Sequence, residues 1–304
     1  MKTPRLLLFL VPMLLIALGS GCRSDETEGP GPLQVGVATL RIPAPLGIGT
    51  AGYGGFTVAG HPSPFCDLYP ATERIHGHPE LRAAVISRGP GHEVIFLRAD
   101  MVGVYQQLRR SIVLELEKRL GRDLDDALIF GGTHTHSGPG RLIGQGGVFD
   151  LISDAFFPEF YNRTVQAAAD VVEQALDDLG PGRIGHALAN APEAQGDRRC
   201  EDGKDHVNGA VPLLALERAG KIIATVFSYA VHGTVLGRED FNLSREVSGA
   251  IEEAIEDRFE HPVTALFFNS WGGDISPHTP ASVPFRAGAE QPGGYDKMEA
   301  AGVV

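Results

Sequence analysis

The alternation of short apolar runs with longer amphipathic stretches most limits how this chain can fold. In one stretch, Leu108, Ile112, Leu116 and Leu120 recur at every fourth position, which places them on one face of a helix. Short apolar runs of the kind found in strands lie on either side of such stretches. Strands that alternate with amphipathic helices indicate an α/β fold, and here we expect mixed sheets with flanking helices.

The same patterns predict individual elements. Strands are predicted at 35–42, 81–87, 93–100, 127–130, 211–217, 222–230 and 263–268, and helices at 105–120, 158–179 and 245–259. The segment 43–80 is rich in Gly and Pro, which predicts a long irregular loop. Several predicted strands run directly into polar, glycine-bearing loops, so we expect the active-site loops at strand ends.

The first 21 residues have the pattern of a secretory signal peptide. Lys2 and Arg5 precede an apolar run at 6–18, which is shorter than the roughly 20 residues that span a bilayer. Cys22 follows three small residues, so we predict that it is lipidated; the alternative is an ordinary cleaved signal with an incidental Cys. Residues 22–34 are then a polar tether. We therefore expect an exported bacterial lipoprotein, in the periplasm, at the outer membrane or on the cell surface, whose domain spans 35–304.

Export also affects what the other two cysteines can do. Cys66 and Cys200 remain once Cys22 is lipidated. An oxidising compartment allows such a pair to form a disulfide. Two separate thiols are the alternative, and the sequence leaves both open.

The acidic charge balance argues against nucleic acid as a partner. The chain has 26 Lys and Arg against 38 Asp and Glu, a formal net charge of −12. Phosphate backbones are bound by clustered Lys and Arg, and the sequence has no basic stripe. The oligomeric state is left open.

The segment GGTHTHSGPG (131–140) places two histidines after a predicted strand. His134 and His136 are two residues apart, so in extended backbone their side chains point to the same side. Imidazole is the commonest metal ligand in proteins, and the neighbouring glycines leave room for a ligand. The pattern favours a metal or catalytic site, although His-x-His also occurs in purely structural positions.

Two further predicted strands end in polar residues. The strand 222–230 leads to His232, which on its own could equally be a packed core histidine. The strand 263–268 leads to a Gly-Gly turn that carries Asp274 and Ser276. Such a turn could present the Ser276 hydroxyl as a nucleophile or polarising donor, with Asp274 orienting it or a nearby His. An ordinary Gly/Asp turn is the alternative.

Together these segments resemble the neutral/alkaline ceramidases, the non-lysosomal enzymes that hydrolyse the amide bond of N-acylsphingosines. THTHSGPG (133–140) is close to the family's most recognisable motif, and GGDISPH (272–278) is similar to its GDVSPN motif. The segments 75–100 and 244–251 fit the family in order. The resemblance runs from about residue 35 to the end of the chain, and it implies the N-terminal catalytic domain of a zinc amidohydrolase that acts on a ceramide-like lipid at a membrane surface.

The resemblance also implies roles for individual residues. His134 and His232 would be zinc ligands. His136 would face the substrate and polarise or bind its amide. Ser276 would take the nucleophile position, and Arg198 falls where an Arg contacts the substrate head group, with Arg199 as the alternative equivalent.

Some parts of the family pattern are not matched. The family completes its zinc shell with a Glu and a Tyr well after the GDxSP motif, which by spacing would lie beyond Val304, so we expect a truncated N-terminal part of a longer enzyme. Trp271 and His278 also depart from the family pattern. Two alternatives follow: an amidase or esterase on another N-acyl or acyl substrate, and a catalytically incomplete lipoprotein remnant.

Overall fold

The computed structural model describes residues 30–53, 62–200 and 206–278. The predicted signal peptide, Cys22 and most of the tether lie outside the described residues, so those assignments stay predictions. Within the described ranges no helix is both long and apolar enough to cross a membrane.

Strands and helices alternate along this part of the chain much as the patterns indicate. The strands are β1 (Gln34–Arg41), β2 (Arg74–His76), β3 (Glu80–Ser87), β4 (Glu93–Ala99), β5 (Leu128–Gly132), β6 (Gly180–Asn190), β7 (Gln195–Asp197), β8 (Ala210–Arg218), β9 (Lys221–Tyr229), β10 (Asn242–Ser244), β11 (Thr264–Asn269) and β12 (Ile275–Pro277). The helices are α1 (Gln106–Leu120), α2 (Asp150–Ser153), α3 (Pro158–Asp177) and α4 (Glu246–Glu256).

Eight strands form one mixed sheet in the order β11-β9-β8-β6-β1-β3-β4-β5. The outer pairs β4–β5 and β9–β11 are parallel, and the pairs between them are antiparallel. At its middle, β1 joins β6 through only two residue pairs, and the sheet folds over there. Its two halves then face each other: Leu266 and Phe268 of β11 pack with Ala84 and Phe96 of β3 and β4.

Helices cover the outer faces of both halves. The α3 helix packs on β1 and β3, and α1 packs against α3, through buried side chains that include Leu108, Ile112, Leu116, Val165 and Val172. The α4 helix packs on β9 and β11, where Val247 and Ala250 meet Phe227 and Phe267. The order of layers is helix, sheet, sheet, helix, which confirms the predicted α/β fold with mixed sheets and flanking helices.

The strand β6 was not predicted. The sequence pattern assigns Gly180 and Pro181 to the end of the preceding helix, and β6 starts at that point instead. Almost every side chain of β6 is exposed, so it carries no alternation of apolar and polar residues. Its position comes from backbone pairing with β8, from Gly182–Arg218 to Asn190–Ala210.

In the described chain Cys66 and Cys200 are not joined by a disulfide. The two cysteines lie in separate loops, Cys66 between β1 and β2 and Cys200 after β7. Cys66 lies half-buried with its thiol 3.7 Å from the Ser63 carbonyl, and burial raises the pKa of that thiol. Cys200 follows β7, where its N–H donates to Asp197 Oδ1 at 3.0 Å. Of the two alternatives, the structure has the separate thiols.

A buried network of charges ties α4 to β4. The side chains of Arg98 and Glu252 are fully buried, with Arg98 Nη2 2.5 Å from Glu252 Oε2. Arg98 Nη1 lies 2.6 Å from Asp100 Oδ2, and Arg245 Nη2 lies 2.5 Å from Glu252 Oε2. The second Glu252 oxygen accepts the N–H of Phe267 in β11 at 2.8 Å. One carboxylate therefore holds a helix and strands from both halves of the sheet.

Candidate active site

Two strand ends meet beyond the folded sheet, as the sequence analysis expected. The chain leaves β5 into His134 and His136, and it leaves β9 into His232. Thr135 pairs with Gly233 in an isolated parallel bridge, and the His136 N–H donates to the Gly233 carbonyl at 3.0 Å. This short pairing brings the three imidazole rings together.

The three rings converge through their Nε2 atoms. His134 Nε2 lies 3.3 Å from His232 Nε2 and 3.4 Å from His136 Nε2. One ligand atom from each of the three histidines lies within 4.8 Å of the other two, so the cluster could hold a metal ion. The sequence analysis set His136 apart as a substrate-facing residue, and the structure places it beside the two predicted ligands.

Backbone carbonyls fix which nitrogen faces inward. His134 Nδ1 lies 2.5 Å from the Val102 carbonyl, and His232 Nδ1 lies 3.0 Å from the Gly272 carbonyl. A carbonyl can only accept, so each Nδ1 carries the proton and each Nε2 presents a lone pair. Two lone pairs 3.3 Å apart repel each other, and a cation between them removes the repulsion. The donor set therefore fits a metal, with the carbonyl contacts that orient metal-binding histidines.

Burial keeps all three imidazoles neutral. Burial lowers the pKa of His136 to about 2 and the pKa of His232 to about 4, and it also lowers the pKa of His134. The neighbouring imidazoles lower the pKa values of His136 and His232 further. Neutral imidazole is the form that binds metal, so little proton competition is expected near neutral pH.

His134 has a backbone conformation that is uncommon for a residue with a side chain. Its φ is +65°, in the left-handed region. Its N–H donates to the Met101 carbonyl at 2.9 Å, and the hydroxyl of Thr133 donates to Asp100 at 3.2 Å. Asp100 belongs to the buried charge network, so the strained turn is held from the core. Strain of this kind persists where the surroundings fix it, commonly at functional sites.

Ser276 lies on the strand next to His232. The strand β12 pairs with β7, with Ser276 opposite Gly196, and the His232 N–H donates to the Ile275 carbonyl at 2.9 Å. Ser276 is buried, and its hydroxyl has no hydrogen-bond partner among the described residues. A buried hydroxyl without a partner is available to a substrate.

Arg198 and Asp274 lie around the same turn. The half-buried Arg198 donates from Nη2 to the Gly273 carbonyl at 2.7 Å, and Nη2 lies beside the His232 ring, 3.1 Å from Nδ1 and 3.4 Å from Nε2, the nitrogen that can accept its N–H. Asp274 is exposed, and its backbone carbonyl accepts the Arg198 N–H at 2.9 Å. The structure does not join the Asp274 carboxylate to the Ser276 hydroxyl, so an orienting role for Asp274 stays a prediction.

Two residues near the site escaped the sequence analysis. The Tyr53 ring packs edge-on against His136 at 4.8 Å between centroids. Glu246 is fully buried behind the loop that follows His232, and burial raises the pKa of its carboxyl to about 7. Tyr53 lies in the irregular segment 43–80, and Glu246 looks like an ordinary acid at a helix start. Their only sequence signals were a Gly-Tyr pair outside any periodic element and an acid after Ser244.

A prediction arises at Gly52, which lies directly against His136. Its φ is +116°, and a Cβ added there would lie 2.6 Å from His136 Cγ. We expect Gly52→Ala to displace the His136 ring, and kcat for a reaction that uses this imidazole should fall by about 100-fold, the cost of misplacing a reacting group by about 1 Å. Steady-state kinetics on the purified variant measures this.

Gly89→Ala is the matched control. Gly89 has φ +109° with open space around the added methyl, so it carries the same backbone penalty without a clash. It should lose roughly 1 kcal/mol of stability and no activity. Equal kcat values for the two variants would contradict the prediction.

Comparison with known proteins places this site in a family. Residues 46–290 match the sequence profile of the neutral/alkaline non-lysosomal ceramidase N-terminal region. The chain is 22% identical over 299 residues to the neutral ceramidase of Pseudomonas aeruginosa, covering 91% of this chain and 41% of that protein. It is 25% identical over 232 residues to neutral ceramidase A of Dictyostelium discoideum, covering 68% of this chain and 32% of that protein.

A solved structure gives the same picture for the fold. The crystal structure of the Pseudomonas aeruginosa neutral ceramidase superposes with a TM-score of 0.75 at 20% identity, covering 90% of this chain and 43% of that chain. The chain thus spans less than half the length of the relatives it matches. Because the family profile covers most of the chain, this protein belongs to the neutral/alkaline non-lysosomal ceramidase family.

Proposed function

We propose that this protein hydrolyses the amide bond of ceramide to sphingosine and a fatty acid, with zinc bound at the histidine cluster. The observation that carries the proposal is the convergence of three neutral imidazoles, with β12 hydrogen-bonded to the backbone of His232 and carrying a buried serine whose hydroxyl has no partner among the described residues. Family membership supplies the substrate class, because the relatives named above are neutral ceramidases.

The spacing of the nitrogens is compatible with zinc, the metal that the family resemblance implies. With Zn–N bonds of about 2.0–2.1 Å, two ligands of a tetrahedral site lie about 3.3–3.4 Å apart. The two Nε2 spacings are 3.3 and 3.4 Å. His134 and His232 would hold the ion, and His136 is close enough to be a third ligand or to hold the substrate. A bound zinc ion would supply Lewis acidity, polarising the amide carbonyl or lowering the pKa of a bound water to roughly 7.

The chain's own groups have complementary tasks. The Ser276 hydroxyl can attack the amide carbon or donate a hydrogen bond to its oxygen. The remaining N–H groups of Arg198 can donate to hydroxyls of the substrate head group. His136 Nδ1 is buried, whereas Nε2 lies 3.4 Å from His134 Nε2, so Nε2 is the nitrogen turned to the reaction. Attack by Ser276 and attack by water are both compatible with this arrangement.

We also propose that the enzyme works at a membrane surface, held there by lipid on Cys22. The N-terminal sequence pattern supports this, and a ceramide-like substrate resides in membranes. Radiolabelled fatty acid should be incorporated into the wild-type protein and not into Cys22→Ser. Labelling of both, or of neither, would contradict the lipid anchor.

The decisive experiment measures bound zinc and amide hydrolysis together. It uses a fluorescent ceramide beside other N-acyl amides and esters, with Ser276→Ala as the inactive control. The 304-residue chain and any longer natural product of the same reading frame are both tested. Bound zinc with ceramide cleavage that Ser276→Ala lacks is the expected result. Cleavage of other acyl substrates alone would favour an amidase or esterase, and neither metal nor cleavage would favour a non-catalytic lipoprotein.

A further inference from the structure

We propose that Glu246 is a positioning residue for His136, acting through the backbone of Leu236 and the side chain of Tyr53. The activity part of this inference rests on the proposed function, whereas the structural part concerns only the orientation of one imidazole. Four groups in sequence make the connection: a carboxylate, the backbone of one residue, a phenol and an imidazole.

The first step is the unusual placement of Glu246. It is the first residue of α4, its φ is +59°, and it is completely buried. A left-handed conformation costs a residue with a side chain roughly 1 kcal/mol or more. Its carboxylate accepts the N–H of Leu236 at 2.6 Å and the N–H of Val247 at 2.5 Å. These bonds hold the loop that follows His232 to the start of the helix.

The second step runs from Leu236 to Tyr53. The same Leu236 that donates its N–H to Glu246 accepts, through its carbonyl, the hydroxyl of Tyr53. The Tyr53 ring then lies edge-on to His136, with 4.8 Å between centroids and 65° between planes. Tyr53 is thus anchored at its hydroxyl and contacts the imidazole with its ring.

The third step explains why His136 depends on this support. His134 and His232 are each oriented by a backbone carbonyl at Nδ1. His136 Nδ1 is buried and, among the described residues, has no hydrogen-bond partner. Its ring orientation is therefore left to packing, in which Tyr53 is a principal contact. His136 is therefore the imidazole whose orientation depends on van der Waals contact with the Tyr53 ring.

A purely structural role explains Glu246 less well. Within the described residues Glu246 forms no ion pair, and burying an unpaired carboxyl costs free energy. An apolar side chain of similar size would stabilise a core better, and it would relinquish the bonds that fix Leu236. The free-energy cost of burying Glu246 is explained if the loop that carries Leu236 must be fixed to orient His136.

The test is a double-mutant cycle of Tyr53→Phe and Glu246→Gln, with Tyr161→Phe as the matched control. Tyr53→Phe keeps the ring and loses the bond to Leu236. In Glu246→Gln an NH₂ group replaces one acceptor of a backbone N–H. The buried Tyr161 hydroxyl donates to the Gln107 carbonyl at 3.1 Å within the helical layer, so its loss removes a similar bond away from the site.

Two readouts are measured on each variant. One is kcat and KM for the fluorescent ceramide. The other is the ¹⁵N spectrum of labelled histidine in the metal-free protein, with the His136 signals assigned through His136→Gln. We expect each site variant to lower kcat about 10-fold with little change in KM, and the double variant to fall about as far as one single variant. The His136 ring signals should shift or broaden in the site variants and stay unchanged in Tyr161→Phe.

Several results would overturn the inference. Unchanged His136 signals in Tyr53→Phe, multiplicative losses in the double variant, or an equal loss in Tyr161→Phe would each do so. Tyr53→Phe removes a single oxygen atom, so it can overturn the inference even if Glu246→Gln fails to fold. If the wild-type protein cleaves no ceramide, the proposed function fails, and the histidine spectra still decide whether Glu246 and Tyr53 position His136.

Discussion

Replacing His232 with Ala is expected to abolish tight zinc binding and to lower kcat/KM for ceramide by about a thousandfold or more. His232 presents its Nε2 lone pair 3.3 Å from that of His134, so its removal leaves too few nitrogens to hold the ion. A catalytic metal contributes several kcal/mol of transition-state stabilisation, and about 4 kcal/mol corresponds to a thousandfold. Metal content by mass spectrometry and steady-state kinetics measure both effects.

The control for this variant is His186→Ala. His186 is exposed on β6, far along the chain from the cluster and outside it. It should retain full zinc content and activity. If His232→Ala kept one zinc ion per chain, the assignment of the metal to this cluster would be wrong.

Glu252→Gln is expected to lower the free energy of unfolding by about 3–5 kcal/mol, the usual cost of removing one partner from a buried ion pair. Burial raises the pKa of Glu252, but Arg82, Arg98 and Arg245 more than offset this and hold the pKa below its ordinary value. The carboxylate is therefore ionised in the native state, and a neutral amide leaves the buried guanidinium groups with less compensating negative charge. Denaturant titration should show the midpoint shift with little change in slope.

The neighbouring Glu253→Gln is the matched control. Its side chain is 58% exposed and contacts Arg245 Nη1 at 3.0 Å. Exposed ion pairs contribute about 0–1 kcal/mol, so this variant should be nearly as stable as the wild type. Similar losses for the two variants would contradict a special role for the buried network.

Elements with a buried apolar face could be predicted from the sequence, and elements held by backbone pairing could not. The helix α1 was predicted within one residue, because Leu108, Ile112 and Leu116 recur at helical spacing and are all buried. The strand β6 has exposed side chains on both faces, so its sequence lacks the alternation of apolar and polar residues that predicts a strand. Because β6 shows no strand pattern, Gly180 and Pro181 were interpreted as the end of the preceding helix and not as the start of a strand.

The candidate site divides in the same way. His134, His136 and His232 were found because each follows an apolar strand, and strand ends are where such folds place their sites. The contact of Tyr53 with Leu236 joins residues 183 positions apart. Local patterns carry no information about such pairs, and so neither Tyr53 nor Glu246 could be recognised without the three-dimensional structure.

The folded sheet has a consequence for how the two halves of the protein come together during folding. The strands β5 and β11 are the two outermost strands of the eight, and the fold brings them together: Asn269 Nδ2 donates to the Thr133 carbonyl at 3.2 Å. A metal shared by His134 and His232 would join the end of β5 to the end of β9, the neighbour of β11, and so tie together segments 98 residues apart in the chain late in folding. An ion that binds only the closed form shifts the opening equilibrium by mass action. Removal of the ion by a chelator should therefore weaken the contact between the two halves of the sheet. Exposed sheet edges promote aggregation, so the bound ion would also reduce aggregation.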